Sequence, residues 1–178
     1  MPIFNIIYSL GLFMGIGGSV LYSSEKGRRE NGCYNEFFST ALLGTAALAA
    51  IAWTGIVFFG EPLLRLFGAE QTLLPLTKAY LFPIKIVIPV FVFNQMLAAF
   101  LRNDNAPGLA TAAVLGGGIF NVFGDYFFVF AMDMGILGAG LATAAGACIT
   151  LLIMLTHFFS KRCTLKFVSI HYLFIKVK

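Results

Sequence analysis

Charged residues are scarce in this chain: they make up 11% of its 178 residues, whereas 59% are hydrophobic. A soluble globular domain usually carries about 25% charged residues. The mean hydropathy is +0.88, and a single core of this size could not bury so much apolar surface. Because a bilayer can act as the solvent for that surface, the composition predicts an integral membrane protein.

Cysteine and histidine are also rare, with three and two copies. Cys33, Cys148 and Cys163 form no Cys-x-x-Cys pair, so neither a disulfide framework nor a zinc site is predicted. The sequence shows no Ser/His/Asp order and no metal-ligand spacing, which argues against an enzyme and against a bound cofactor. His157 has no acidic residue near it in the sequence, and we expect it at the membrane interface.

Long apolar runs make up most of the sequence. A spanning helix needs about 20 mostly apolar residues. Runs such as 41–52 lack the strict alternation that strands of a membrane barrel would show. The sequence therefore predicts an all-α membrane protein in which residues 1–163 form a helical lobe. The expected spans lie at about 2–22, 37–60, 79–101, 107–130 and 136–159.

Polar breaks and prolines set the expected ends of these spans. Glu61-Pro62 is expected to end the second run, before a loop to about Leu76. Pro83 and Pro89 are expected to kink or break the third. Residues 102–107 read as a turn, with Pro107 in the first turn of the next helix. The tail, 164–178, is too short and too basic to span, and we expect it at the cytoplasmic membrane surface.

Basic residues predict the orientation. The loops after the first, third and fifth spans hold Lys26, Arg28, Arg29, Arg102, Lys161, Arg162 and Lys166. The opposite side holds only Arg65 and Lys78. The positive-inside rule makes the first side cytoplasmic. The net charge of +4 thus indicates membrane orientation rather than nucleic-acid binding. The start then lies outside, as expected if another helix precedes it.

Asp125 is the first candidate for chemistry, because an ionisable residue inside a span usually faces a cavity and marks an ion or proton path. Asn121 shares its helix face, and a carboxylate with an amide oxygen suits a proton or a hard cation. Counted from Pro107, Asn121 lies about 21 Å deep and Asp125 about 27 Å deep, both in the outer half. Thr143, early in the fifth span, lies at a similar depth. The alternative is that Asp125 only ends its span at the outer interface.

Lys85 and the glycines each allow two interpretations. Lys85 lies about two turns from the outer end of its helix, where it can extend to the interface or belong to a transport pathway. Glycines crowd the first span, and residues 116–118 are all glycine. No predicted strand precedes them, so close helix packing is favoured over nucleotide binding.

Three stretches carry a family resemblance. Residues 15–19 precede a short basic loop, and 102–107 form the turn described above. Asn121-Val122-Phe123-Gly124-Asp125, followed by residues 135–143, is similar to the pattern Asn-x-x-x-Asp, then Gly-x-x-Gly-Ala-x-x-Ala-Thr. Over about 2–160 the chain resembles the amino-terminal half of MATE (multidrug and toxic compound extrusion) transporters.

The resemblance implies that the spans are family helices two to six, most of one six-helix lobe. It implies a multi-pass antiporter of the plasma membrane that exchanges H⁺ or Na⁺ for organic cations or other drugs. Asp125 would bind the coupling ion, with Asn121 and Thr143 as neighbouring oxygen ligands. The family's first helix, which usually supplies another acidic residue, and the carboxy-terminal lobe are expected outside this chain. Gly124 and Tyr126 replace the usual Leu and Pro, so a different helix bend is expected.

Two other functions stay open at this point. A lipid-linked-sugar flippase of the related superfamily would favour a more basic central cavity. Only Lys85 indicates such a cavity in this sequence. A non-transporting membrane remnant would fit an absent first helix.

Overall fold

The computed structural model describes residues 2–28, 34–67 and 71–168, and these ranges contain helices but no strand. The helices are α1 (Pro2–Arg28), α2 (Tyr34–Leu66), α3 (Leu74–Asn103), α4 (Pro107–Asp125) and α5 (Gly135–Leu155). A π-helical segment, Tyr126–Ala131, continues α4, and a 3-10 turn, Thr156–Phe159, continues α5. In the described ranges five helices are long and apolar enough to cross a membrane, which confirms the predicted class.

The second span differs most from its prediction. Glu61-Pro62 does not end it, because α2 continues through Pro62 to Leu66. The helix is instead kinked at Phe59, whose φ of −110° and ψ of 15° are not helical. A proline inside a helix lacks an N–H and collides with the carbonyl four residues earlier, which explains a kink just before Pro62. Glu61-Pro62 therefore marks a kink in α2 and not the end of the helix.

α3 is the central helix of the lobe. It packs on α1, α2, α4 and α5, and 67% of its apolar window is buried, against 17–39% for the other spans. Ile84, Ile88, Val92, Met96 and Phe100 follow one another at helical spacing and are fully buried. Pro83 and Pro89 lie inside the continuous helix, so neither of them breaks it. Packed neighbours around a membrane helix allow such prolines to be tolerated.

The basic ends of α1, α3 and α5 lie together, as the orientation argument requires. The ammonium group of Lys26, near the end of α1, lies 2.9 Å from Oδ1 of Asp104, just after α3. Nε2 of His157, just after α5, lies 2.8 Å from the other oxygen of that carboxylate. We call this end of the lobe the basic end; its cytoplasmic orientation stays a prediction.

The segment after α5 is attached to the start of α2. Leu165 is only 5% exposed. The backbone N–H of Lys166 donates to Oδ1 of Asn35 over 3.0 Å, and that of Val168 donates to Oγ of Ser39 over 2.9 Å. The rest of the predicted tail, 169–178, lies outside the described residues, so its position at the membrane surface stays a prediction.

Candidate functional site

Close contact between α4 and α5 builds the candidate site. A Cβ placed on Gly117 would lie 2.6 Å from the carbonyl oxygen of Gly146, and one on Gly146 would lie 2.7 Å from that of Gly117. Both distances are too short for any side chain, so these glycines let the two backbones approach. Asn121 lies one turn after Gly117 and Thr143 about one turn before Gly146. In an antiparallel pair this spacing makes the two side chains face each other.

Asn121 and Thr143 are joined directly. Nδ2 of Asn121 donates to Oγ1 of Thr143 over 3.2 Å, and the Thr143 hydroxyl donates to the carbonyl of Ala139 over 2.9 Å. The hydroxyl of Tyr80, on α3, lies 3.3 Å from the same oxygen. Because the one hydroxyl proton of Thr143 is used, Tyr80 is the donor. With Nδ2 turned towards Thr143, Oδ1 of Asn121 remains available as an acceptor.

Asp125 lies one turn beyond Asn121, where α4 passes into the π-helical segment. A Cβ on its neighbour Gly124 would lie 3.0 Å from the Cβ of Ala142, which brings Asp125 close to the turn of α5 that carries Thr143. Its Oδ1 is buried and has no hydrogen-bond partner among the described residues. A buried carboxylate oxygen without a donor is costly, and binding of a proton or a cation would remove that cost.

Tyr80 is a site residue that sequence reasoning missed. Its position depends on Gly140, where a Cβ would lie 2.5 Å from the carbonyl oxygen of Tyr80. This close approach sets α3 against α5, three residues before Thr143. A tyrosine in an apolar run is usually explained by packing alone, so only the contact across the helices reveals its role.

A cavity of about 370 Å³, lined by both polar and apolar side chains, adjoins Asn121 and Thr143. It extends to Arg102 at the basic end, and Gln95 and Thr150 also line it. Asn94, in its wall, is 5% exposed. Its Nδ2 donates to the carbonyl of Ala147 over 2.9 Å, while its Oδ1 is without a partner in the described part of the chain. The lining includes Asn121 and Thr143, but Asp125 is not part of it.

Lys85 is separate from this cavity. It lines a different one, of about 390 Å³, between α2 and α3, together with Glu61 and Lys78. Its side chain lies against Gly60, whose added Cβ would be 3.1 Å from Nζ of Lys85. The structure therefore brings Asn121 and Thr143 together, with Asp125 beside them, but not Lys85. A pathway role for Lys85 stays a prediction.

The sequence profile of the MatE family matches residues 1–127 of this chain. This match covers well over half of the chain and includes Tyr80, Asn121 and Asp125. The chain belongs to the MatE family.

Relatives and solved structures agree with this assignment. The chain is 27% identical over 161 residues to the multidrug export protein MepA of Staphylococcus saprophyticus, covering 90% of this chain and 36% of that protein. It is 25% identical to MepA of Staphylococcus aureus, covering 89% of this chain and 35% of that protein. The chain thus spans about a third of the length of these relatives. Their names describe multidrug export, which does not favour the flippase alternative.

The fold matches solved transporters in two conformations. An inward-facing multidrug resistance MATE family transporter superposes with a TM-score of 0.86 over 95% of this chain and 38% of the other, at 23% identity. An outward-facing one superposes with a TM-score of 0.80 over 96% and 37%, at 22% identity. At these identities the likeness shows the fold: most of one lobe of a MatE transporter.

A second polar cluster at the basic end of this MatE lobe was not anticipated. Asp104 is fully buried and accepts hydrogen bonds from the hydroxyl of Tyr22 over 3.1 Å and from the backbone N–H of Thr164 over 2.9 Å. The Thr164 hydroxyl also donates to it, as do Lys26 and His157. His157, which has no acidic residue near it in the sequence, thus finds an acidic partner 53 positions away.

These donors act on the charge of Asp104. Burial opposes ionisation, but hydrogen bonds from Thr164, His157 and Lys26 outweigh it and hold the pKa of Asp104 well below its ordinary value. Cys163 lies close enough to Asp104 and His157 for the three to share a metal ion. The carboxylate is already neutralised by Lys26, however, so the arrangement is explained as a structural network that joins α1, the α3–α4 turn and the segment after α5.

Proposed function

We propose that this lobe holds the coupling cation, H⁺ or Na⁺, of an antiporter that exports organic cations or other drugs. The observation that carries the proposal is the unpartnered, buried Oδ1 of Asp125 beside the Asn121–Thr143 hydrogen bond. Asp125 binds the cation, and Oδ1 of Asn121 and the hydroxyl oxygen of Thr143 are the neighbouring ligands. The family relationship and the multidrug export named for the relatives support this assignment.

Tyr80 regulates how freely Thr143 can act as a ligand. While Asn121 and Tyr80 both donate to Thr143, its oxygen has no lone pair left for a metal cation. Binding of Na⁺ at Thr143 therefore requires one donor to turn away, whereas a proton on Asp125 can be donated to Oδ1 of Asn121 without that change. The two hydrogen bonds that Thr143 accepts therefore favour proton coupling at Asp125 over binding of Na⁺ at Thr143.

Ion binding is then coupled to conformation. A ligand shifts a two-state equilibrium only through its different affinity for the two states. We propose that the charged form of Asp125 favours one arrangement of α4 and α5 and that the ion-bound form favours the other. We propose that the cavity lined by Asn121 and Thr143, which extends to Arg102, provides access to these two residues from the basic end. In the complete transporter, the first helix would add its acidic residue, and the second lobe would complete the drug cavity.

The test compares Asp125→Asn with Asp133→Asn in a full-length transporter carrying this lobe. Asp133 is exposed in the turn before α5, with a φ of 51°. Asparagine also adopts such a φ readily, so the control should keep the fold. We expect Asp125→Asn to lose drug resistance in cells at equal membrane abundance and Asp133→Asn to keep it. Unchanged resistance with Asp125→Asn would contradict the cation-site assignment.

A further inference from the structure

An apolar groove opens on the surface of the lobe, and none of the candidate site residues lines it. Its volume is about 390 Å³, and we call it the α2–α5 groove. Every side chain that lines it is apolar. The lining residues are Phe38, Leu42, Phe93, Leu97, Leu151, Leu155, Phe158, Leu165 and Phe167.

The groove exists because two helices are held apart by a third. In the described ranges, α2 and α5 each pack extensively on α3 but have at most a marginal contact with each other. α3 therefore forms the floor through Phe93 and Leu97, and α2 and α5 form the walls. At the basic end, Leu165 and Phe167 of the segment after α5 close the groove.

The depth of the groove matches one leaflet of a bilayer. Phe93 lies ten residues before the end of α3, about 15 Å from the basic end at a rise of about 1.5 Å per residue. Half of a hydrocarbon core of about 30 Å has the same length. The groove therefore lies where the acyl chains of one leaflet run, and it does not continue into the other leaflet.

Basic residues lie beside the end of the groove, although none of them lines it. Lys166 is exposed and lies between Leu165 and Phe167, both of which line the groove. Lys161 and Arg162 are also exposed, a few residues after Phe158. The sequence from 155 to 178 contains no acidic residue, and Glu36, in the first turn of α2, is only 5% exposed. The charge at this end is therefore complementary to an anion.

We propose that the α2–α5 groove binds an anionic phospholipid of the leaflet at the basic end, one acyl chain along α3 and the headgroup at Lys166. Lys161 adds to the attraction, whereas Arg162 lines a different cavity, with Asn105 and Gly108. Basic groups at such a position attract anionic lipids, and an apolar groove without them would select no headgroup. The proposal is independent of the cation site, because neither Asp125 nor Asn121 lines the groove.

The test measures lipid retention by native mass spectrometry. The 178-residue chain is equilibrated with equal amounts of phosphatidylglycerol and phosphatidylcholine of the same acyl length. We expect one phosphatidylglycerol to be retained in preference. Lys166→Gln should lower that preference about fivefold, the effect of one basic residue near the headgroups. Lys78→Gln, at the opposite end, should leave it unchanged.

A second pair of variants tests the groove itself. Leu155→Trp places a larger side chain in the groove, whereas Leu152 is 63% exposed and outside the lining. Leu155→Trp should reduce retention of both lipids, and Leu152→Trp should not; monodispersity and helix content show that both variants fold. Equal lipid retention by the two tryptophan variants would contradict lipid binding in the groove. Equal binding of the two lipids would contradict the proposed contact between the headgroup and Lys166. A dimer lost only in Leu155→Trp would identify a second copy as the occupant.

Discussion

Asp104 lies in the turn between α3 and α4, yet it is buried. Its carboxylate is fully buried and is bonded by Tyr22, Lys26, His157 and Thr164. Removing one partner of a buried charge pair costs about 3 kcal/mol. Asp104→Asn should therefore lower the free energy of unfolding by about that amount, measured by thermal or denaturant unfolding in detergent. Asp133→Asn is the exposed control, and a loss no larger than that of the control would contradict the role of the cluster.

The same residue predicts a pH dependence. Because the pKa of Asp104 is lowered in the folded chain, the unfolded chain takes up this proton more readily. The stabilisation is complete above the ordinary pKa of about 3.9 and is lost as the pH falls below it. The difference in stability between the native chain and Asp104→Asn should shrink as the pH falls below about 4. A difference that does not shrink below about pH 4 would contradict this role of Asp104.

Sequence reasoning named the candidate site residues on α4 and α5 but not the residues that contact them. Asp125 and Asn121 could be recognised because a carboxylate is rare in an apolar run and because four residues separate positions on one helix face. The partners of Asp104 lie 53 to 82 positions away, and no local pattern records such contacts. Tyr80 was missed for the same reason.

At the scale of the helix, the adjacent glycines Gly117 and Gly118 of α4 allow a substitution to be compared with a matched control. A Cβ on Gly117 would overlap Gly146 and Thr150 of α5, whereas one on Gly118 would meet nothing within 4 Å. Gly117→Ala should force α4 and α5 apart, separate Asn121 from Thr143 and lower the free energy of unfolding by about 1–3 kcal/mol. Gly118→Ala should be neutral or stabilise by up to about 1 kcal/mol, since alanine favours a helix.

Thermal unfolding of the two variants checks this prediction, and drug resistance in the full-length context shows whether the site is affected. Similar behaviour of Gly117→Ala and Gly118→Ala would mean that close packing of α4 on α5 does not position Asn121 and Thr143. The run of glycines in the sequence indicated close packing, but only the structure distinguishes the packed glycine from the exposed one.

Helix existence was easier to predict than helix ends. Apolar runs long enough to span gave every described helix, because the bilayer requires a minimum length. Pro62 was interpreted as an end and is a kink, and Pro83 and Pro89 are inside α3. A proline changes local geometry, but whether the helix continues depends on neighbours that pack around it, and these are not adjacent in the sequence.

At the scale of the whole molecule, the orientation in the membrane can be tested with two cysteines. Gly27 is exposed, with free space for a side chain, and Met132 is 52% exposed at the other end of the lobe. The three native cysteines are first replaced by serine. An impermeant maleimide should label Met132→Cys in intact cells and Gly27→Cys only after permeabilisation. The reverse pattern would contradict the orientation predicted from the basic loops.

The shape of one lobe does not by itself specify what the complete transporter exports. The chain covers about a third of the length of its multidrug-exporting relatives, and in our proposal the drug cavity depends on the remainder of that length. We propose that this lobe supplies the ion site, and that proposal depends on Asp125.

The most direct measurement is ion-driven transport in proteoliposomes. A full-length transporter carrying this lobe is reconstituted, a pH or Na⁺ gradient is imposed, and accumulation of a fluorescent organic cation is followed. We predict gradient-driven accumulation by the native protein and by Asp133→Asn, and none by Asp125→Asn. Equal gradient-driven accumulation by Asp125→Asn would contradict the claim that Asp125 holds the coupling cation.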